Sequence, residues 1–103
     1  MPICGEAIAM KPNFECDEEK AQANLRTHKV SFDEATTVFS DPFSITIPDP
    51  DHSTDEERYI DIGTSDKGRL LVVSYTERGT NIRIISCRKA TPNERRRYEE
   101  GND

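Results

Sequence analysis

No run of apolar residues in this chain is long enough to cross a membrane as a helix, and its three cysteines, Cys4, Cys16 and Cys87, have no metal-ligand spacing. The N-terminal stretch Met1 to Pro12 also lacks the basic start and long apolar core of a secretory signal. An odd number of cysteines without an export signal reads as reduced thiols in a cytoplasmic protein. Cys87, late in an apolar run, reads as a small buried residue rather than a nucleophile. Only 33% of the 103 residues are hydrophobic, so the core must be small, and such a domain often finishes burying its surface against a partner. Asp49, Asp51, Ser53 and Asp55 alternate like a calcium loop, but Thr54 stands where the loop needs glycine and Ile60 where it needs glutamate. Calcium is therefore excluded there, His52 is read as solvated, and no metal or other cofactor is expected. Repeats and low-complexity segments are absent.

What the chain does have is concentrated between Gly68 and Tyr98. Leu70 to Tyr75 and Ile82 to Cys87 are dense in apolar and β-branched residues, and the polar segment Thr76 to Asn81 between them holds the glycine of a hairpin turn. Thr91-Pro92-Asn93-Glu94 then opens a helix, with threonine as N-cap, proline at the first helical position and glutamate completing a capping box. Charge is concentrated in the same place. Residues 67 to 98 carry nine Lys/Arg against two Asp/Glu, in a chain whose net charge is −6. Net acidity argues against a non-specific nucleic-acid coat, yet a local basic surface suits one anionic ligand such as an RNA backbone. The alternative is a solvated sheet face whose arginines pair with the acidic half.

Upstream, Phe14 to Asp17 is a short strand or only a lead-in. Asp17 to Lys29 reads as a helix with Asp17 as N-cap, and Lys20, Asn24 and His28 share one of its faces beside the apolar Ala21 and Leu25. His28 is either a helix-end residue stabilising the last carbonyls or a general acid–base. Ser31-Phe32-Asp33-Glu34 is a second capping box, opening a short helix stopped by Ser40-Asp41-Pro42. Phe43 to Ile47 and Arg58 to Gly63 read as strands. Strict alternation puts Arg83, Ile85 and Cys87 on one face of the last strand and Ile82, Ile84, Ser86 and Arg88 on the other. The expected fold class is α+β: two N-terminal helices, an antiparallel meander sheet of about four strands and a C-terminal helix, with the helices on one face. Residues 1–13 and 101–103 are expected to be tails around a single domain at 14–100.

These segments, taken together, resemble the BrnT toxins of type II toxin–antitoxin modules, which have a RelE-like ribonuclease fold. The resemblance lies in Phe14-Glu15 with Asp17, Lys20, Asn24 and His28, in Val30 to Ala35, and in Val38 to Pro42. It continues through Glu57-Arg58, Ile62 to Ser65, Gly68 to Val73, Tyr75 to Gly79, Ile82 to Ser86, Arg88 to Thr91 and Glu94-Arg95 with Tyr98-Glu99. Two positions depart from the family: Cys16 stands where tryptophan is usual, and Thr27-His28-Lys29 where lysine-histidine-glycine is usual. The resemblance implies a metal-independent endoribonuclease that cleaves RNA, inhibits translation and arrests growth under stress. It implies neutralisation by a cognate DNA-binding antitoxin (BrnA-like) that represses the shared operon, with a toxin dimer inside a heterotetramer and DNA touched only through the antitoxin. Attack by a 2′-hydroxyl on the adjacent phosphorus needs a base, an acid and cations at the phosphate. Matched by motif, the catalytic candidates are His28, Arg83, Arg88, Glu57 and Tyr75, and the phosphate-binding candidates are Lys20, Arg69 and Arg78. Each has a structural alternative, such as Tyr75 in the core, Arg83 paired with Glu77, or Glu94 acting only as a cap. The other functional reading is a degenerate toxin that only binds its antitoxin.

Overall fold

Asp17 ends one element and starts the next. Its backbone is extended (φ −87°, ψ 123°), and its carboxylate accepts the N–H groups of Glu19 at 2.8 Å and Lys20 at 3.3 Å, two of the donors a helix start leaves without partners. The structure, a computed structural model, describes residues 13–49 and 57–101. In order, these form β1 (Asn13–Glu15), α1 (Glu18–His28), α2 (Phe32–Thr37) extended by a 3-10 turn (Val38–Ser40), and β2 (Ile45–Pro48). Then follow β3 (Arg58–Thr64), β4 (Leu70–Arg78), β5 (Asn81–Lys89) and α3 (Pro92–Glu100). The capping box at Thr91 forms as the sequence requires, Thr91 and Glu94 each accepting the other's backbone N–H. Of the expected tails at 1–13 and 101–103, residues 1–12 and 102–103 lie outside the described residues, as does 50–56 of the acidic loop, while Asn13 lies in β1 and Gly101 caps α3.

The fold is α+β, with five strands in the order β1-β5-β4-β3-β2. Strands β2 to β5 are the antiparallel meander that the sequence implies, with longer arms. The hairpin between β4 and β5 closes at Gly79-Thr80, Gly79 having φ 61°, so most of the expected loop Thr76 to Asn81 belongs to the ladder. The fifth strand, β1, runs parallel to β5 and pairs Asn13, Phe14 and Glu15 with Asn81, Ile82 and Arg83.

The helices divide between the two faces. Val30, Phe32, Ala35 and Val38 from the α1–α2 region pack with Leu71, Val73, Tyr75, Ile84 and Cys87. On the other face, Tyr98 of α3 packs with Ile62, Leu70 and Val72. This corrects the expectation of helices on one face only. The sheet is apolar on both sides at its β3–β4 centre, so each side needs a cover.

A bulge decides which face each residue of β5 takes. Ser74 pairs with Ser86 but Tyr75 pairs with Ile84, so Ile85 is one extra residue in the strand. Residues directly opposite in an antiparallel ladder share a face. Arg88 opposite Val72, Ser86 opposite Ser74 and Arg83 opposite Thr76 therefore all lie on the α3 face. Strict alternation had placed Arg83 and Arg88 on opposite faces; the one-residue insertion reverses the phase and unites them.

Helix α1 attaches to the sheet by hydrogen bonding more than by apolar contact. Leu25, expected on its apolar face, is 49% exposed, while Asn24 is buried. Asn24 Nδ2 donates to the Val30 carbonyl (2.9 Å) and the Cys87 carbonyl (2.7 Å), and its Oδ1 accepts the Cys87 N–H (3.1 Å). Beyond Arg83, where β1 ends, this side chain takes the place of a neighbouring strand. Cys16 is buried in the α1–α2 core and is disulfide-bonded, its partner lying outside the described residues. That corrects the expectation of reduced thiols at this position. Cys87 is a free, buried thiol, pushed up to about 12 by burial.

Lys29 closes α1 in the left-handed region (φ 60°, ψ 31°), its N–H reaching the Leu25 carbonyl at 3.0 Å. A side chain there costs about 1 kcal/mol that glycine avoids, and glycine is what the family usually carries. Lys29→Gly is expected to stabilise the protein by roughly 0.5–1 kcal/mol, seen as a higher urea midpoint at unchanged slope.

Candidate functional site

The eight residues singled out from the sequence fall into three environments. Two of the arginines are pinned. Arg69, at the start of β4, donates from Nε to Glu34 Oε2 at 2.9 Å, from Nη2 to Glu34 Oε1, and from Nη2 to the Lys29 carbonyl at 3.3 Å. Glu34 is buried and also accepts the Ser65 hydroxyl at 2.7 Å; the Arg69 hydrogen bonds hold its carboxyl below the usual range. Arg88 meets Glu94 in a two-pronged pair, both contacts at 2.7 Å, which ties β5 to α3. Glu94 is thus more than a cap. Arg69 and Arg88 brace the fold, each guanidinium engaged by a carboxylate.

Tyr75 and Glu57 lie on the α1–α2 face. Tyr75 is 5% exposed, packed edge-on against Phe39 (centroids 4.9 Å apart) and tilted against Tyr59. Its hydroxyl donates to Asp61 Oδ1 at 3.1 Å, and burial, reinforced by Asp61, raises its pKa far above that of a free tyrosine. It is a core residue. Glu57 is exposed and accepts the Tyr59 hydroxyl at 2.7 Å.

The third environment surrounds β5. Arg83 is half-buried on the α3 face and, among the described residues, its side chain has no hydrogen bond or ion pair, so the suggested pairing with Glu77 does not form. Its neighbours along the ladder are Thr76 and Arg58 on one side and Glu15 on the other. Arg78 is exposed at the tip of the same face, opposite Asn81, and Asn81 Nδ2 donates to Glu15 Oε2. Lys20 and His28 are both exposed and stand on α1 along a groove of about 230 Å³ lined also by Ala23, Asn24, Thr27 and Ile85. The bulge residue Ile85 is what brings β5 into this groove. Arg83 and Arg78 therefore share one side of the sheet, and Lys20 and His28 stand beyond the β5 edge on the other.

Two residues of this neighbourhood had no assigned role in the sequence, Glu15 and Arg58. Each lies within a quoted family segment, but a three-residue strand has no periodicity to announce that Glu15 runs alongside Arg83. Among the described residues, no group of three or more His, Cys, Asp or Glu side chains could hold a metal ion.

The family model described as "Ribonuclease toxin, BrnT, of type II toxin-antitoxin system" matches residues 16–94. The chain belongs to the BrnT family. Membership makes it a ribonuclease toxin by family and implies an antitoxin partner. Among solved structures it is similar to the 1.1 Å crystal structure of the Brucella abortus ribonuclease toxin BrnT, with a TM-score of 0.60 and 22% identity over 76% of this chain and 95% of that one. At that identity the likeness establishes the shared fold. A search of curated proteins gives no match.

The departures fall on three kinds of position: Cys16 is buried in the core, Lys29 adopts the left-handed turn that ends α1, and Thr27 is exposed on the α1 wall of the groove.

Two pH-dependent outcomes follow from these environments. Asp61 is 4% exposed and accepts from Thr46 at 2.6 Å and Tyr75 at 3.1 Å, and burial raises its pKa above the usual carboxylate value. A raised folded value means that stability is lost as pH rises through it. Asp61→Asn keeps the acceptor oxygen and removes the charge, so it is expected to raise stability at pH 7 by roughly 1 kcal/mol and to change it little near pH 3, read by urea unfolding at both pH values. Glu94 behaves oppositely. Arg88 lowers its pKa from 4.5 to about 2, so the pair's contribution is complete above 4.5 and is lost as pH falls toward 2. Arg88→Met is expected to cost about 0.5–1 kcal/mol at pH 7, the pair being partly screened by solvent, with the difference from wild type vanishing near pH 2 in thermal melts.

Proposed function

We propose that this chain is a metal-independent endoribonuclease whose substrate phosphate is held at Arg83, with Arg78 as a second cation. The observation that carries the reading is the Arg83 guanidinium: half-buried, unpaired among the described residues, and projecting from the central β4–β5 hairpin of a chain in the ribonuclease toxin family. A fixed fork of donors beside partly buried backbone stabilises the crowded phosphorane better than a solvated lysine would. Glu15, alongside Arg83 in the ladder, is the carboxylate placed to take the 2′-hydroxyl proton. In this reading the RNA crosses the β5 edge, and His28, on the groove beyond it, protonates the leaving 5′-oxygen. Lys20 is an outer phosphate contact there. Cys16 and Lys29 are accommodated within the core and a helix end, which leaves the binding-only reading resting on Thr27, the one departure that faces the groove.

By cleaving RNA the protein inhibits translation and arrests growth. A cognate DNA-binding antitoxin of the BrnA type silences it and represses the operon, the two assembling as a heterotetramer around a toxin dimer. We place this activity in the cytoplasm, where its RNA is; among the described residues no helix is long and apolar enough to span a membrane.

The test is expression of the protein alone in a bacterium beside Arg83→Ala, following growth and total RNA. Since Arg83 makes no hydrogen bond or ion pair among the described residues, the variant should fold normally and lose cleavage by about 10²–10³-fold. Arrest by folded Arg83→Ala would remove this residue from the mechanism, and intact RNA with soluble wild type would overturn the enzyme reading.

A further inference from the structure

The groove between α1 and β5 carries at its rim two of the residues just given roles, Lys20 and His28, while the rest of its lining has none. Past Glu15, which pairs with Arg83, strand β5 has no strand on its outer side among the described residues. Ile85 follows Arg83 by two residues, roughly 6–7 Å along a strand, and the bulge turns its side chain toward α1. The opposite wall comes from consecutive turns of α1: Lys20, Ala23, Asn24, Thr27 and His28. Its volume, about 230 Å³, is below the roughly 300–1,000 Å³ of pockets for drug-sized ligands, and it is shallow and open to solvent, the shape that takes a flat ring against one wall. Ala23, Ile85 and the Thr27 methyl group offer apolar surface to such a ring, and Lys20 and His28 place cationic or cation-forming groups at the rim. Asn24 is at the base, but both its amide hydrogens are already committed to the Val30 and Cys87 carbonyls.

We infer that this groove seats one nucleobase of the RNA substrate, belonging to a nucleotide next to the phosphate held at Arg83. The inference rests on the ribonuclease reading above and adds its specificity-determining surface. A flat base fits apolar walls by its faces, His28 offers a stacking partner, and Lys20 meets the attached phosphate. With Asn24 already satisfied, base edges meet only the Thr27 hydroxyl and the His28 ring. The preference among the four bases is therefore modest and set by ring size and stacking.

The probes are the four nucleoside 5′-monophosphates and inorganic phosphate, titrated into the whole protein by NMR. Expected are base-dependent shifts at the Ala23 and Thr27 amides and the Ile85 methyl groups, retained in Arg83→Ala and abolished by Ala23→Leu, which fills the groove. Thr27→Met, at an exposed position of the same wall, is the second variant should Ala23→Leu misfold. In cleavage assays the filled groove is expected to raise KM on the order of tenfold, as for the loss of one stacked base, and to flatten the preference at one nucleotide. Shifts confined to Lys20 and His28 and reproduced by phosphate alone would overturn the base seat. So would monophosphate binding indifferent to Ala23→Leu and Thr27→Met. Because these titrations need no cleavage, their failure is separate from failure of the Arg83→Ala test.

Discussion

The side-chain amide of Asn24 ties helix α1 to the sheet. It makes three hydrogen bonds to the backbone of Cys87 and Val30, acting as a neighbouring strand would at the stretch of β5 that β1 leaves uncovered. Removing it would orphan buried peptide groups that no apolar contact compensates, each costing about 1–3 kcal/mol. The rest of the molecule uses the same device. Glu34 gathers Arg69 and Ser65, Asp41 accepts the Tyr98 hydroxyl at 2.7 Å and the Thr64 N–H at 2.8 Å, and Glu94 joins Arg88 to α3. A chain with so few hydrophobic residues spends its carboxylates on joints, and no buried side-chain nitrogen or oxygen among the described residues is left without a partner.

Those joints sort the arginines. In the sequence they form one basic block following an acidic one, which suggests either a ligand surface or mutual neutralisation. The fold does some of each. Glu34 and Glu94 take Arg69 and Arg88 into two-pronged pairs, whereas Arg83 and Arg78 have no acid partner among the described residues. A paired guanidinium held in place serves stability; an unpaired one keeps its fork of donors for another acceptor.

Much of the architecture could be read from local patterns. Caps at Asp17, Ser31 and Thr91 mark the helix starts because the orphan donors of a first turn need a nearby side-chain oxygen. The alternating, β-branched runs mark β3, β4 and β5 because one face of each strand must be apolar. The family segments, by their order and spacing, carried the identity. Less legible was how the candidates are arranged: Tyr75 matches a motif yet is buried in the core, Arg88 matches one yet braces a helix, and Glu15 lies in a family segment that says nothing of its place beside Arg83.

The sequence by itself determined the elements, their order, the α+β class and the family, since each depends on residues near one another in the chain or on a pattern that survives without coordinates. Only the tertiary structure decided which arginines are available, that β1 runs parallel beside β5, and that Ile85 is an extra residue in its strand. A bulge shifts the phase of every residue beyond it, and an ion pair such as Arg69 with Glu34 joins positions 35 residues apart. Neither leaves a local trace, because the partner that fixes it lies on another element.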